Sequence, residues 1–193
     1  DSAADINPGA TEVCSDGADN NCDGSADPCE LTGDLSLDGD EDGRWLGVAA
    51  GDAAGTHVAL LGDVTGDGTD DVAIGAPGVD SATLSDIGAA YLVSGPISGD
   101  TSLGTAVAIT GAEASHAVGT MVRSADVDGD GQDDLLLGVP DDDTTDDGAL
   151  YVIYGPVTGS QDLSSYDARL RGALPGEALG SGVAVLGEIL GTG

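Results

Sequence analysis

The sequence predicts an all-β chain of repeated four-stranded units, and three observations carry that prediction. An acidic nonapeptide occurs twice, 63 residues apart. Each copy runs straight into an apolar stretch that closes on Gly-x-Pro, and between the copies short apolar runs alternate with Gly, Pro and Asp turns. An acidic nonapeptide alone would mean little in a chain with 36 Asp and Glu. Two copies in register within a longer repeat mean a repeated structural unit.

The elements follow in a fixed order. Trp45, Ile109 and Leu170 sit at matching places just before a glycine pair eight residues apart: Gly47 and Gly55, Gly111 and Gly119, Gly172 and Gly180. The acidic nonapeptide comes next, then the run to Gly75-Ala-Pro77 or Gly138-Val-Pro140. Downstream lie Gly88-Ala-Ala-Tyr91-Leu-Val-Ser-Gly-Pro96 and Gly148-Ala-Leu-Tyr151-Val-Ile-Tyr-Gly-Pro156. Each unit of roughly 60 residues reads as four short strands, the content of a propeller blade. The chain holds two full units and the beginning of a third.

The nonapeptides have the chemistry of a calcium loop. Asp63-Val-Thr-Gly-Asp67-Gly-Thr-Asp-Asp71 recurs as Asp126-Val-Asp-Gly-Asp130-Gly-Gln-Asp-Asp134. Oxygen side chains at positions 1, 3 and 5, glycine at 6 for a sharp turn, a carbonyl at 7 and a carboxylate at 9 can wrap a hard cation with six to eight oxygens. The predicted ligands are Asp63, Thr65, Asp67, the Thr69 carbonyl and Asp71, then Asp126, Asp128, Asp130, the Gln132 carbonyl and Asp134. The second loop, with a carboxylate at position 3, should be the tighter site. An EF-hand would need a bidentate Glu at position 12 and flanking helices, whereas Ile74 and Leu137 stand there within strand-type runs. These are loops between strands.

Over residues 45–193 the chain resembles the FG-GAP repeats of integrin α-subunit β-propellers and their secreted bacterial relatives, most specifically at 58–77 and 122–140. The resemblance implies β-propeller blades, two complete and part of a third, with calcium on loops 63–71 and 126–134. The family's Phe is replaced by Ala54, Val118 and Leu179, and there is no Phe in the chain; smaller anchors should loosen packing between blades. The third loop begins Gly187-Glu-Ile-Leu190 and offers no oxygen at position 3, so no metal is expected there. Propellers of this family close with about seven blades, which implies that the chain is a fragment of a larger protein; self-association through open edges is the lesser alternative.

Residues 1–30 form a separate segment, with 31–193 assigned to the repeats. Its run of Asp, Asn, Gly and three cysteines resembles a Cys/Asp-rich metal-binding repeat of secreted and surface proteins of bacteria, begun partway. Cys14 with Cys22, or Cys22 with Cys29, could form one small disulfide and leave an odd thiol; Cys14 with Cys22 is favoured. Asp16, Asp19, Asp23 and Asp27 are alternative calcium ligands, and zinc or copper is disfavoured by the wide cysteine spacing. Residues 34–42 also match the loop pattern, but a solvated hairpin is favoured because the corresponding segment of the next repeat, 100–106, lacks such ligands.

Composition removes other functions. A net charge of −32, no lysine and four arginines leave no basic face for nucleic acid. No apolar run reaches the roughly 20 residues of a membrane span. Such charge self-repels at low ionic strength and suits a salt-rich, halophilic setting outside the cell. His57 and His116 occupy unmatched repeat positions and read as ordinary packed or exposed side chains; with no G-x-S-x-G elbow, no catalytic set is assigned. The run 141–147 reads as a charged turn. The expected role is an extracellular or cell-surface, calcium-stiffened propeller segment that recognises an unidentified protein or glycan. The alternatives are a non-catalytic accessory propeller of a larger secreted hydrolase or lyase, or a self-associating matrix scaffold.

Overall fold

The computed structural model describes residues 43–94, 99–142 and 147–185. Residues 1–41 and 42–193 form two compact units, and all the described residues belong to the second. The cysteines, residues 34–42 and the start of the third loop at 187–193 lie outside the described residues.

The predicted strands appear where the apolar runs placed them. Blade 1 is β2 (His57–Leu60), β3 (Asp71–Ala76), β4 (Ala89–Ser94) and β6 (Val107–Thr110), all antiparallel neighbours in that order. Blade 2 repeats it with β7 (Met121–Ala125), β8 (Asp134–Val139), β9 (Ala149–Ile153) and β11 (Ala168–Arg171). Pairing of Ile74 with Tyr91 is matched by Leu137 with Tyr151. The described fold is all-β apart from two short 3-10 turns, and its blades do not form a closed ring.

Each connection to an outer strand contains one further, short strand that the four-strand reading did not anticipate. β10 (Gln161–Asp162) pairs in parallel with β6 of the preceding blade. β5 (Gly99–Ser102) pairs likewise with β1 (Gly43–Leu46), which therefore stands as the outer strand of a unit before blade 1. Both short strands lead into a 3-10 turn whose first residue, Leu103 or Leu163, is fully buried. Parallel pairing thus stitches each blade to its predecessor at the outer edge.

Burial is concentrated between the blades. One face of blade 1 (Ala59, Leu61, Ala73, Leu92, Ile109) packs on one face of blade 2 (Val122, Leu135, Leu137, Tyr151, Ile153). A second cluster, centred on Tyr91, Val93 and Leu103, lies on the opposite face of blade 1, with Trp45 packed against it. Val122 is 0% exposed whereas its blade 1 counterpart Val58 is 58% exposed. Fully burying such a side chain is worth roughly 1.5–3 kcal/mol, so each boundary is stabilised by several such residues together.

At the boundary the two blades also meet backbone to backbone. Gly55, Gly119 and Gly180 have φ of +88°, +95° and +92°, each preceded at two residues by an alanine that is itself left-handed (Ala53, Ala117, Ala178). The residue after each glycine closes the turn: Thr56, Thr120 and Ser181 donate both N–H and hydroxyl to the carbonyl of that alanine. Glycine is needed at the third residue because this φ is strained for any residue with a Cβ. Val118, in the place of the family Phe, is completely buried and bridges Gly88 of blade 1. Apposed glycine backbones set the approach of the two blades at this boundary.

Candidate metal centre

Both nonapeptides form the β2–β3 and β7–β8 connections, so they emerge on the same rim of adjacent blades. The carboxylate at position 1 organises each loop. Asp63 accepts N–H bonds from Gly66, Asp67 and Gly68 at 2.7, 3.0 and 2.9 Å; Asp126 accepts from Gly129 and Gly131 at 2.6 and 3.0 Å. Left-handed glycines at positions 4 and 6 make this wrapping sterically possible: Gly66 and Gly68, Gly129 and Gly131. Position 5 then holds position 7, since Thr69 and Gln132 donate their N–H groups to Asp67 and Asp130 at 2.9 and 2.8 Å. The Thr69 hydroxyl, followed by its N–H, draws the Asp67 carboxyl below its usual range.

Position 9 differs in kind. Asp71 and Asp134 begin β3 and β8 and are each 1% exposed. Asp71 accepts from the N–H groups of Val64 and Thr65 at 2.9 and 2.8 Å and from the Thr65 hydroxyl at 3.2 Å. Asp134 accepts from Val127 N–H at 2.8 Å and Gly155 N–H at 3.0 Å. These buried carboxylates close the base of the loop by accepting backbone N–H groups of the loop and its surroundings.

In the second loop the structure brings together Asp126, Asp128 and Asp130, whose oxygens lie within 4.8 Å of one another and are exposed. This is the one such acidic group among the described residues. In the first loop position 3 is Thr65, whose hydroxyl is turned to Asp71 and to Ser94. The donors are all hard oxygen, which suits a magnesium- or calcium-type cation and not a soft or imidazole-seeking metal.

The loops are not separate structures. The Gln132 side-chain amide donates to the Asp63 carbonyl across the blade boundary. Gly62 N–H donates to Ser124 Oγ at 3.0 Å, and that hydroxyl donates to Asp133 at 2.9 Å. Val157 N–H reaches the Val64 carbonyl at 2.8 Å. Val64 is 0% exposed under this cover, whereas its counterpart Val127 is 50% exposed beside a cavity of about 640 Å³ bordered by Leu136, Leu150 and Val183.

On the opposite rim lies a polar assembly that sequence reasoning missed. Asp142, inside the run read as a charged turn, is 2% exposed. It accepts from the Tyr151 hydroxyl at 2.7 Å and lies 3.5 Å from His116 Nε2, 3.6 Å from Arg169 and 4.0 Å from Arg171. Arg169 donates to the Tyr151 hydroxyl at 2.9 Å and stacks near the rings of Tyr151 and Tyr166. Burial, then the bond to Asp142, pushes the Tyr151 hydroxyl up to about 12. Blade 1 has Val79, Ala108 and Thr110 in the places of Asp142, Arg169 and Arg171, so only the second copy carries this network. The scarcity of arginine was the available signal: two of the four cations stand two residues apart on one strand.

A family model described as "FG-GAP repeat" matches residues 54–93 and 118–153, the two segments that run from the left-handed turn to the third strand of each blade. The chain carries two FG-GAP repeats. A second model, described as "Putative metal-binding motif", matches residues 1–28. Among curated proteins, the chain is 36% identical over 107 residues to a phosphatidylinositol-glycan-specific phospholipase D of Bos taurus, and 35% and 34% identical to those of Rattus norvegicus and Homo sapiens. The match covers 55% of this chain and 13% of each relative. The chain thus spans about an eighth of the length of those proteins. Among the described residues, no helix is long and apolar enough to cross a membrane.

Proposed function

We propose that the chain is a calcium-binding segment of an extracellular β-propeller that acts in recognition or adhesion. The observation that supports it best is the convergence of Asp126, Asp128 and Asp130 oxygens within 4.8 Å, on a loop whose pattern recurs one blade away. Asp126, Asp128, Asp130, the Gln132 carbonyl and Asp134 would hold one ion, and Asp63, Thr65, Asp67, the Thr69 carbonyl and Asp71 a second. The ion's contribution is to neutralise clustered carboxylates and fix the loop. The rim then presents neighbouring loops rigidly to a protein or glycan. Extracellular modules of this kind bind calcium with Kd around 10⁻⁴–10⁻³ M, so occupancy follows the surroundings.

Calcium titration by calorimetry in high salt tests the reading, with Asp67→Ala and Asp130→Ala as single-site variants. About two ions per chain, one lost in each variant, is the expected result. Folding driven by salt alone, with no heat of calcium binding, would reduce the loops to an acidic surface.

A second reading is favoured by the phospholipase D relatives: a non-catalytic propeller accessory to a larger enzyme. In both readings residues 1–30 are a separate metal-binding segment and residues 31–193 the propeller. Chain sequence beyond either end distinguishes them, further blades and an anchor against a catalytic domain.

A further inference from the structure

We propose that the two cation loops are thermodynamically coupled, so that an ion in the second loop tightens binding in the first, and the reverse by the same factor. The inference rests on the calcium reading above and goes beyond it, because two sites on neighbouring blades need not communicate. Here the ligands of one loop hold the ligands of the other.

Two routes connect them. Gln132, whose carbonyl serves position 7 of the second loop, is fixed by its N–H to Asp130 at 2.8 Å and donates its side-chain amide to the carbonyl of Asp63, position 1 of the first loop. An ion that orders Asp130 and Gln132 therefore orders the backbone of Asp63. The other route starts at Asp134, which accepts Gly155 N–H at 3.0 Å. Pro156 follows and packs so tightly on Gly66 that a Cβ there would lie 2.6 Å from the proline Cβ, and Val157 N–H then holds the Val64 carbonyl at 2.8 Å. Loop 1 is gripped between loop 2 and the 155–157 segment, both parts of blade 2. Ordering either loop removes conformational freedom that the other would otherwise lose on binding, which is positive coupling.

Charge acts in the opposite direction, since an ion in one loop lowers the negative potential that attracts the next. Screening decides between them. At 0.15 M salt the Debye length is about 8 Å, and at 1 M about 3 Å, so the electrostatic opposition fades with salt while the contacts persist.

The test is calcium titration of the full chain in 0.15 M and 1 M salt, with Asp67→Asn, Asp130→Asn and Gln132→Ala. If the sites are coupled, the two-ion association constant of the unmodified chain exceeds the product of the two single-site constants by about fivefold or more at 1 M salt. Gln132→Ala keeps its carbonyl, still binds two ions, and brings the excess down toward one. Ser124→Ala, which cuts the Gly62–Asp133 bridge, serves as a second variant should Gln132→Ala unfold in the chelator control. Equality of constant and product in 1 M salt overturns the coupling and leaves the calcium reading intact. No binding by the unmodified chain overturns both.

Discussion

A Cβ built on Gly75 would lie 1.9 Å from the carbonyl oxygen of Gly119. The first is the glycine of Gly-Ala-Pro in blade 1 and the second the glycine that follows Val118 at the start of blade 2. The same contact recurs one blade on, where a Cβ on Gly138 would meet the Gly180 oxygen at 2.1 Å. The two glycine motifs of the repeat are thus two halves of one joint.

Gly75→Ala should open that joint. The opposing atom is backbone and cannot swing away, so overpacking of about 2–3 kcal/mol is expected. Gly131→Ala makes the comparison: its φ is +92° but nothing lies within 4 Å of a Cβ there, so only backbone strain of about 1–2 kcal/mol applies. Urea unfolding of both variants measures the difference. Equal losses would mean that the glycine contact is incidental to blade packing.

Much of this was readable beforehand, and the exceptions share a cause. Loops 63–71 and 126–134, the strands that follow them and the matched places of Trp45, Ile109 and Leu170 are local patterns, and local patterns survive in sequence. The pairing of Gly75 with Gly119 joins residues far apart in the chain, and spacing alone says only that both glycines recur. β10 has two residues and no apolar alternation of its own; it exists because β6 offers an unpaired edge. Asp142 sits in a run of aspartates whose composition signals solvent, while its burial is decided by Arg169, Arg171 and Tyr151 converging on it.

The acidic ligands should separate into two classes when calcium is absent. The buried Asp134 carboxylate accepts the partly buried N–H groups of Val127 and Gly155, so Asp134→Ala removes two bonds at the base of the loop and should lower stability in chelator by about 1–3 kcal/mol. Asp128 is exposed, and among the described residues its carboxylate accepts the N–H of Asp130 two residues on. Asp128→Ala should therefore change chelator stability by less than about 0.5 kcal/mol and act on calcium affinity alone. Thermal unfolding with and without calcium reads both effects. A large loss from Asp128→Ala in chelator would erase the distinction between base and mouth of the loop.

Asp142→Ala should be among the more damaging single changes in blade 2. It removes the acceptor of the Tyr151 hydroxyl and the carboxylate that Arg169, Arg171 and His116 surround. Breaking a buried ion pair from one side costs about 3–5 kcal/mol; because Arg169 and Arg171 keep partial access to water, about 2–3 kcal/mol is expected here. Asp142→Asn retains an acceptor for Tyr151 and should lose about half as much. Denaturant midpoints compare the two, and equal losses would show that the charge, not the hydrogen bond, governs the network.

The same network sets a dependence on alkaline pH. Tyr151 is pushed up from 10 to about 12, first by burial and then by donating to Asp142, with Arg169 opposing. Between those values the unfolded chain releases this proton while the folded chain keeps it. The folded state then binds more protons, so stability is complete below about pH 10 and falls as pH rises toward 12, with a limiting slope of about 1.4 kcal/mol per unit. Tyr91 is also raised by its burial and adds a decline of its own, so the quantity to follow is the difference between the unmodified chain and Tyr151→Phe. Near pH 8 that variant should be less stable by about 1–2 kcal/mol, since Asp142 loses its donor. The gap should narrow as pH approaches 12. A gap that stays constant from pH 9 to 12 would mean that Tyr151 titrates as it does in the unfolded chain, and that Asp142 does not hold its proton in place.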